Sequence, residues 1–288
     1  MKKLLMILLS AVMLMSAAAC NGQNGSSSGS SASSGDSASA GSSSVARGTS
    51  SATSSGMASG SASSQAAASS AAPAFQDVSR APSDKAKAAE SGASYKVKST
   101  DYSYKKDNND YSVSYPQLSG LNSQQDQVNA AIKTCALKMV NSLGTGVKKT
   151  KTKVITNGDI TFKGKSFLSI GFNEYVTLSP KAETTHTLRT VNLDLTSGKA
   201  FSFSNLVKES DSFYAAIAKE AKVQLSSEYA AKATASAIKT GLDKNSMYFM
   251  DTGVGFAVTI QKKLLRITLS YDEIKPVATT NAVWKNFI

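Results

Sequence analysis

An α+β fold, an antiparallel sheet with helices packed on one face, is what the sequence predicts for the folded part of this chain. Three observations lead there. Segments rich in β-branched and aromatic residues recur between turn signals from Tyr95 onward, two stretches carry apolar residues at three- and four-residue spacing, and the stretch before them is too poor in apolar residues to fold. The folded part is therefore 95–288, with an N-terminal part of about 95–185 and a C-terminal part of about 186–288, behind a signal at 1–20 and a linker at 21–94.

Each element follows from a local pattern. Tyr95-Lys96-Val97-Lys98 and Tyr102-Ser103-Tyr104 alternate as strands do, and Tyr111-Ser112-Val113-Ser114-Tyr115 repeats the alternation after a polar turn at 105–110, a hairpin that Pro116 ends. Ser123 and Asp126 have capping-box spacing, Val128, Ile132, Cys135, Met139 and Leu143 form a helical stripe, and Gly144 stops it. Strands are expected at 151–162, 167–178 and 187–195, each broken by turn residues such as Asn157-Gly158 and Ser179-Pro180. Ser197-Gly198 turns the chain into Phe201-Ser202-Phe203. A second helix starts near Asp211 with Phe213, Ile217, Ala221 and Leu225 on one face, and the Ala-rich 230–239 continues as a short helix. Tyr248-Phe249, 254–260 and 264–269 read as central strands, with a bulge or tight turn at Gly253 and Gly255. Tyr271-Asp272-Glu273-Ile274 reads as a strand end leading to Pro276.

The start of the chain gives an address. Lys2 and Lys3, an apolar run at 4–15 and Ala17-Ala18-Ala19-Cys20 have the layout of a bacterial lipoprotein signal, in which Cys20 becomes the lipidated N-terminus. An ordinary secretory signal with Ala-x-Ala cleavage fits the same residues. Two or more acyl chains hold a protein stably on a membrane. The Ser/Ala/Gly stretch at 21–94 is a tether, roughly 45 to 50 Å end to end as a coil. Its Gly25-Ser26-Ser27-Ser28-Gly29 matches a nucleophile elbow only by chance, because no strand or helix flanks it.

Charge and composition narrow the chemistry. The chain has 32 Lys and Arg against 20 Asp and Glu, and most of the excess lies after position 94. Outside the cytosol a basic domain meets lipid headgroups, teichoic acid and peptidoglycan, and no nucleic acid. With His186 the single histidine, and Cys135 the single cysteine besides Cys20, the usual zinc sets are absent and no cofactor is expected. Cys135 reads as a core residue and His186 as a structural or exposed turn residue. Lys148, Lys149, Lys151 and Lys153 are the candidate anion contacts, the last three on one strand face; a strand edge guarded by Lys is the alternative. An enzyme working with two carboxylates would draw on Asp251, Asp272 and Glu273.

The order of segments resembles the extracytoplasmic module of RsiV-type anti-sigma factors and PdaC-type peptidoglycan deacetylases. The matching pieces are Tyr115-Pro116-Gln117-Leu118, Val191-Asn192-Leu193-Asp194-Leu195-Thr196-Ser197-Gly198-Lys199, Ser204-Asn205-Leu206-Val207, Met250-Asp251-Thr252-Gly253-Val254-Gly255-Phe256 and 267–274. Where that family carries a Gly-Gly-Ala-His turn, this chain has Glu183-Thr184-Thr185-His186 and lacks the glycines. The resemblance implies the α+β module without the spanning helix of the anti-sigma factors or the metal-dependent domain of the deacetylases. Together the observations point to a lipid-anchored, non-catalytic binding module on the outer face of the cell membrane of a Gram-positive type of cell. Its partners would be membrane lipid through Cys20 and either wall polymer or an envelope protein. Two alternatives stand beside this. A sensor or inhibitor of a lysozyme-like hydrolase would set a basic surface against a basic partner, and a carboxylate-dependent glycan-processing enzyme would use the acids named above.

Overall fold

The computed structural model describes residues 80–121, 124–178 and 184–288. The signal, Cys20, the tether up to residue 79, Ser123, the Ser179-Pro180 turn and Glu183 lie outside these residues.

The fold is α+β. It begins earlier than the composition implied: Asp84–Glu90 forms helix α1, whose Ala86 is fully buried. Backbone bonds from Ser83 N–H to the Asp251 carbonyl (2.8 Å) and from Lys165 N–H to the Ala89 carbonyl (3.1 Å) tie this segment down. A tether reaching to Ser94 is therefore corrected, because one small apolar residue and two backbone bonds dock residues whose composition alone reads as linker.

Strands β1 (Lys96–Lys106) and β2 (Asn109–Ser119) form the hairpin. Pro116 does not end it. Beyond Ser114 only β1 flanks β2, so a residue without an N–H is tolerated there. Helices α2 (Gln125–Ala136) and α3 (Lys138–Leu143) follow, and Gly144 closes the second with φ 69°. They form a crossover that returns β3 (Thr152–Lys163) parallel to β2. Strands β4 (Phe167–Thr177) and β5 (Thr185–Asp194) complete a five-stranded sheet in the order β1-β2-β3-β4-β5. The sheet is antiparallel except at β2–β3, where short-range patterning carries no information on direction. Because β5 pairs with β4 along its length, the first half reaches Asp194 and a division at 185 would cut the sheet.

Asn157-Gly158 lies within β3 and makes no turn. Gly158 stands opposite Phe172, and a Cβ there would sit 2.6 Å from the phenyl ring. A glycine that looked like turn punctuation is thus a packing requirement.

One sheet face packs against α2 and α3. Val128, Ile132 and Cys135 are buried there with Leu168, Ile170, Phe172, Val191 and Leu193. A register shift between Ile160 and Phe162 moves β3 by one residue against β4, so Ile160 stays on this face while Phe162 turns to the other. On that opposite face Phe162 and Phe167 meet the second half of the chain.

The second half runs α4 (Phe203–Leu206), α5 (Asp211–Gln224), α6 (Ser227–Ala230), α7 (Ala235–Gly241), β6 (Tyr248–Met250), β7 (Gly253–Ile260), β8 (Lys263–Leu269) and α8 (Tyr271–Ile274). Strands β6-β7-β8 form a separate antiparallel sheet. Ser169 accepts the Phe249 N–H (3.0 Å), and Asn192 and Thr190 donate to the Met247 carbonyl (2.8 and 2.6 Å), which pins β6 onto the large sheet. Helix α2 thus packs on one face of the large sheet, as expected, and β6 of the smaller sheet meets the other. The expected strand at Tyr271–Ile274 is a helical turn, because Ser270 accepts the Glu273 N–H (3.3 Å) while Glu273 Oε2 accepts the Ser270 N–H (2.8 Å).

Candidate functional site

Residues 144–151 form a loop between α3 and β3, and the β1–β2 hairpin holds it carbonyl by carbonyl. Tyr111 Oη donates to the Gly144 carbonyl (2.9 Å), Tyr104 Oη to Thr145 (3.0 Å), Asn109 Nδ2 to Gly146 (3.0 Å) and Asn108 Nδ2 to Lys148 (2.7 Å). The Thr152 N–H then donates to the Asn108 carbonyl (2.7 Å). A segment whose composition reads as a free loop is fixed in place.

This places the four candidate lysines. Lys149, Lys151 and Lys153 are exposed, and Lys151 and Lys153 flank the buried Thr152 on the outward side. Lys149 and Lys151 precede the strand, since β3 starts at Thr152, so of the expected three-residue strand row only Lys153 stands on the strand itself. Lys148 is half-buried and its ammonium donates to the Leu143 carbonyl at the end of α3. Its ammonium thus serves the helix end. The parallel register adds two residues that sequence patterning missed. Lys153 lies beside Asp110, Asp110 lies beside Lys105, and Lys106 is next in the hairpin. Nothing local signals this, because it depends on β3 running back alongside β2.

His186 is a strand residue. Its ring stacks on Tyr175 with centroids 4.5 Å apart and planes 8° from parallel, and its Nε2 lies 3.4 Å from Asn173 Oδ1. Arg266 of β8 donates to the same Asn173 oxygen. Burial, with Arg266 and Lys263 nearby, holds the imidazole below its usual pKa, so it is mainly neutral at pH 7. Burial likewise raises the Tyr175 hydroxyl, with Arg266 opposing. Cys135 is buried and its thiol lies 3.6 Å from the Thr190 carbonyl, as a core cysteine does.

Asp251 sits in the turn after β6, Asp272 is exposed, and Glu273 shares Arg80 with Glu220, a residue the sequence did not single out. Burial works to raise Glu273, but hydrogen bonds from Arg80 and Ser270 outweigh it and hold the carboxyl down at about 2. Burial pushes Glu220 up. Among the described residues no three His, Cys, Asp or Glu side chains are grouped to hold a metal, and no helix is long and apolar enough to cross a membrane.

No family model matches the sequence, and no curated protein matches it. Among solved structures the chain is similar to a DUF3298 family protein from Bacteroides fragilis NCTC 9343, with a TM-score of 0.49 and 10% identity over 68% of this chain and 98% of that one. It is also similar to a DUF3298 family protein from Pseudomonas aeruginosa PAO1, with a TM-score of 0.45 and 11% identity over 69% of this chain and 98% of that one.

Proposed function

We propose that this chain is a membrane-tethered, extracytoplasmic, non-catalytic binding module that uses the lysine-bearing end of its large sheet to hold an anionic polymer of the cell envelope. The observation that carries the reading is the gathering of Lys105 and Lys106 of β1, Lys153 of β3, and Lys149 and Lys151 of a loop immobilised by four side-chain hydrogen bonds, all at one end of the sheet. Fixed cations attract a polyanion without first having to be ordered, and the attraction weakens as salt screens it. Placement outside the cytosol rests on the signal-like residues before Cys20 and on the resemblance to the RsiV and PdaC modules.

The test uses purified wall carrying teichoic acid. The protein is retained at low salt and released as salt rises, and the variant Lys149→Glu/Lys151→Glu/Lys153→Glu binds about tenfold or more weakly, on the order of 1 kcal/mol for each cation near an anionic surface. Retention that ignores both salt and the triple substitution would overturn the reading. Cys20→Ser moves the protein from the membrane to the soluble fraction if the anchor is as proposed.

A further inference from the structure

The large sheet has one face packed against α2 and α3, and the second half of the chain covers the other face only in part. Among the described residues, Asp101, Ser103, Ser112, Ser114, Ile155 and Asn157 on that second face of β1, β2 and the start of β3 are exposed or half-buried. Register fixes what it presents, because directly paired residues share a face. Across the strands lies the row Ser112, Ile155, Tyr175 and His186, and beside it Asp101 and Asn157. All six are exposed or half-buried. Hydroxyl, amide and carboxylate groups dominate, with an apolar side chain and a stacked aromatic pair among them. The Tyr175 hydroxyl has no hydrogen-bond partner among the described residues.

The pair stands where the open face meets a shoulder. Asn173, two residues before Tyr175 on the same face, is 2% exposed and accepts from Arg266 of the smaller sheet. A ligand lying across the strands at Tyr175 and His186 would therefore abut protein on one side. In the two rows that hold these six residues the charged side chain is Asp101, which does not attract a polyanion, while Lys105 and Lys153 belong to the lysine end beyond them and Arg266 and Lys263 stand at the shoulder. The apolar content of the face is too small for the core of a protein interface. A surface rich in short donors and acceptors beside an aromatic pair matches a chain of hydroxyl and acetamido groups, whose ring C–H faces pack on aromatic rings and whose polar groups replace water.

We propose that this face, centred on Tyr175 and His186, binds an uncharged segment of a glycan. The site goes beyond the lysine end and needs no net charge. It is tested by titrating the full chain with tetra-N-acetylchitotetraose in a calorimeter at about 0.1 M and about 1 M salt, where screening differs about threefold in length. Binding persists at both salt concentrations. It weakens about tenfold or more in Tyr175→Ala. Ser112→Arg, a change at an exposed position, obstructs the face and weakens binding whether or not Tyr175→Ala folds. The Lys149→Glu/Lys151→Glu variant, which leaves Lys153 on the face unchanged, binds the oligosaccharide as the parent does, so this site and the lysine end fail separately. Absence of binding by the parent overturns the assignment. So does binding that vanishes at high salt, or binding that Ser112→Arg leaves intact.

Discussion

Gly158 shows how one missing atom is decided by a neighbour far away in sequence. The residue faces Phe172 across the β3–β4 ladder, and Phe172 is fully buried. Gly158→Ala should cost about 1–3 kcal/mol through overpacking, read as a lower midpoint in urea without a change in slope. A midpoint equal to that of the parent would show that the ring shifts freely. Glu273 is the other decisive residue. Its folded pKa of about 2 lies below the ordinary value of 4.5, so its contribution to stability is present above about pH 4.5 and is lost as pH falls toward about 2. Glu220, pushed up by burial, works in the opposite direction. The parent should therefore be more stable than Glu273→Gln near pH 6, and the gap should close on acidification. A gap independent of pH would contradict the Arg80 pairing.

At the scale of elements, the loop at 144–151 is ordered by its surroundings and not by its own composition. Removing the amides of Asn108 and Asn109 by a double change to Ala frees two of the four held carbonyls. At about 1 kcal/mol net per hydrogen bond, tryptic cleavage after Lys148 and Lys149 should accelerate by roughly tenfold or more. Cleavage at the parent rate would mean that the tyrosines alone hold the loop. Much of each element was legible beforehand. The stripe of Val128, Ile132 and Cys135 is buried as its spacing implied, and strands near 151–162 and 167–178 appear at Thr152–Lys163 and Phe167–Thr177. The helical turn after Ser270 was legible too, since Ser270 and Glu273 have capping-box spacing, but the following Pro276 drew the reading toward a strand end.

For the molecule as a whole, the two halves share one aromatic cluster. Phe167 of β4 lies 4.7 Å from Phe249 of β6 and 5.6 Å from Phe287 near the C-terminus, and Phe162 lies 5.0 Å from Phe287. Because the bulge in β3 delivers Phe162 to this side, the large sheet contributes to two cores at once. Phe167→Ala should destabilise by about 3–5 kcal/mol, a large share of an ordinary domain's stability. The parent should unfold in one transition, with far- and near-ultraviolet circular dichroism giving the same midpoint. Separate midpoints would show halves that fold independently.

The sequence by itself determined the α+β class, most strand and helix positions, the Gly144 stop and the excess of positive charge, because periodicity, turn chemistry and composition are properties of neighbouring residues. Only the tertiary structure decided that β3 runs parallel to β2, that Lys105 and Lys106 join Lys149, Lys151 and Lys153, that Lys148 is diverted to a helix end, and that Tyr175 and His186 stack on an open sheet face. Those outcomes depend on strand direction, register and which of two faces a core claims, and these are settled by contacts between residues distant along the chain.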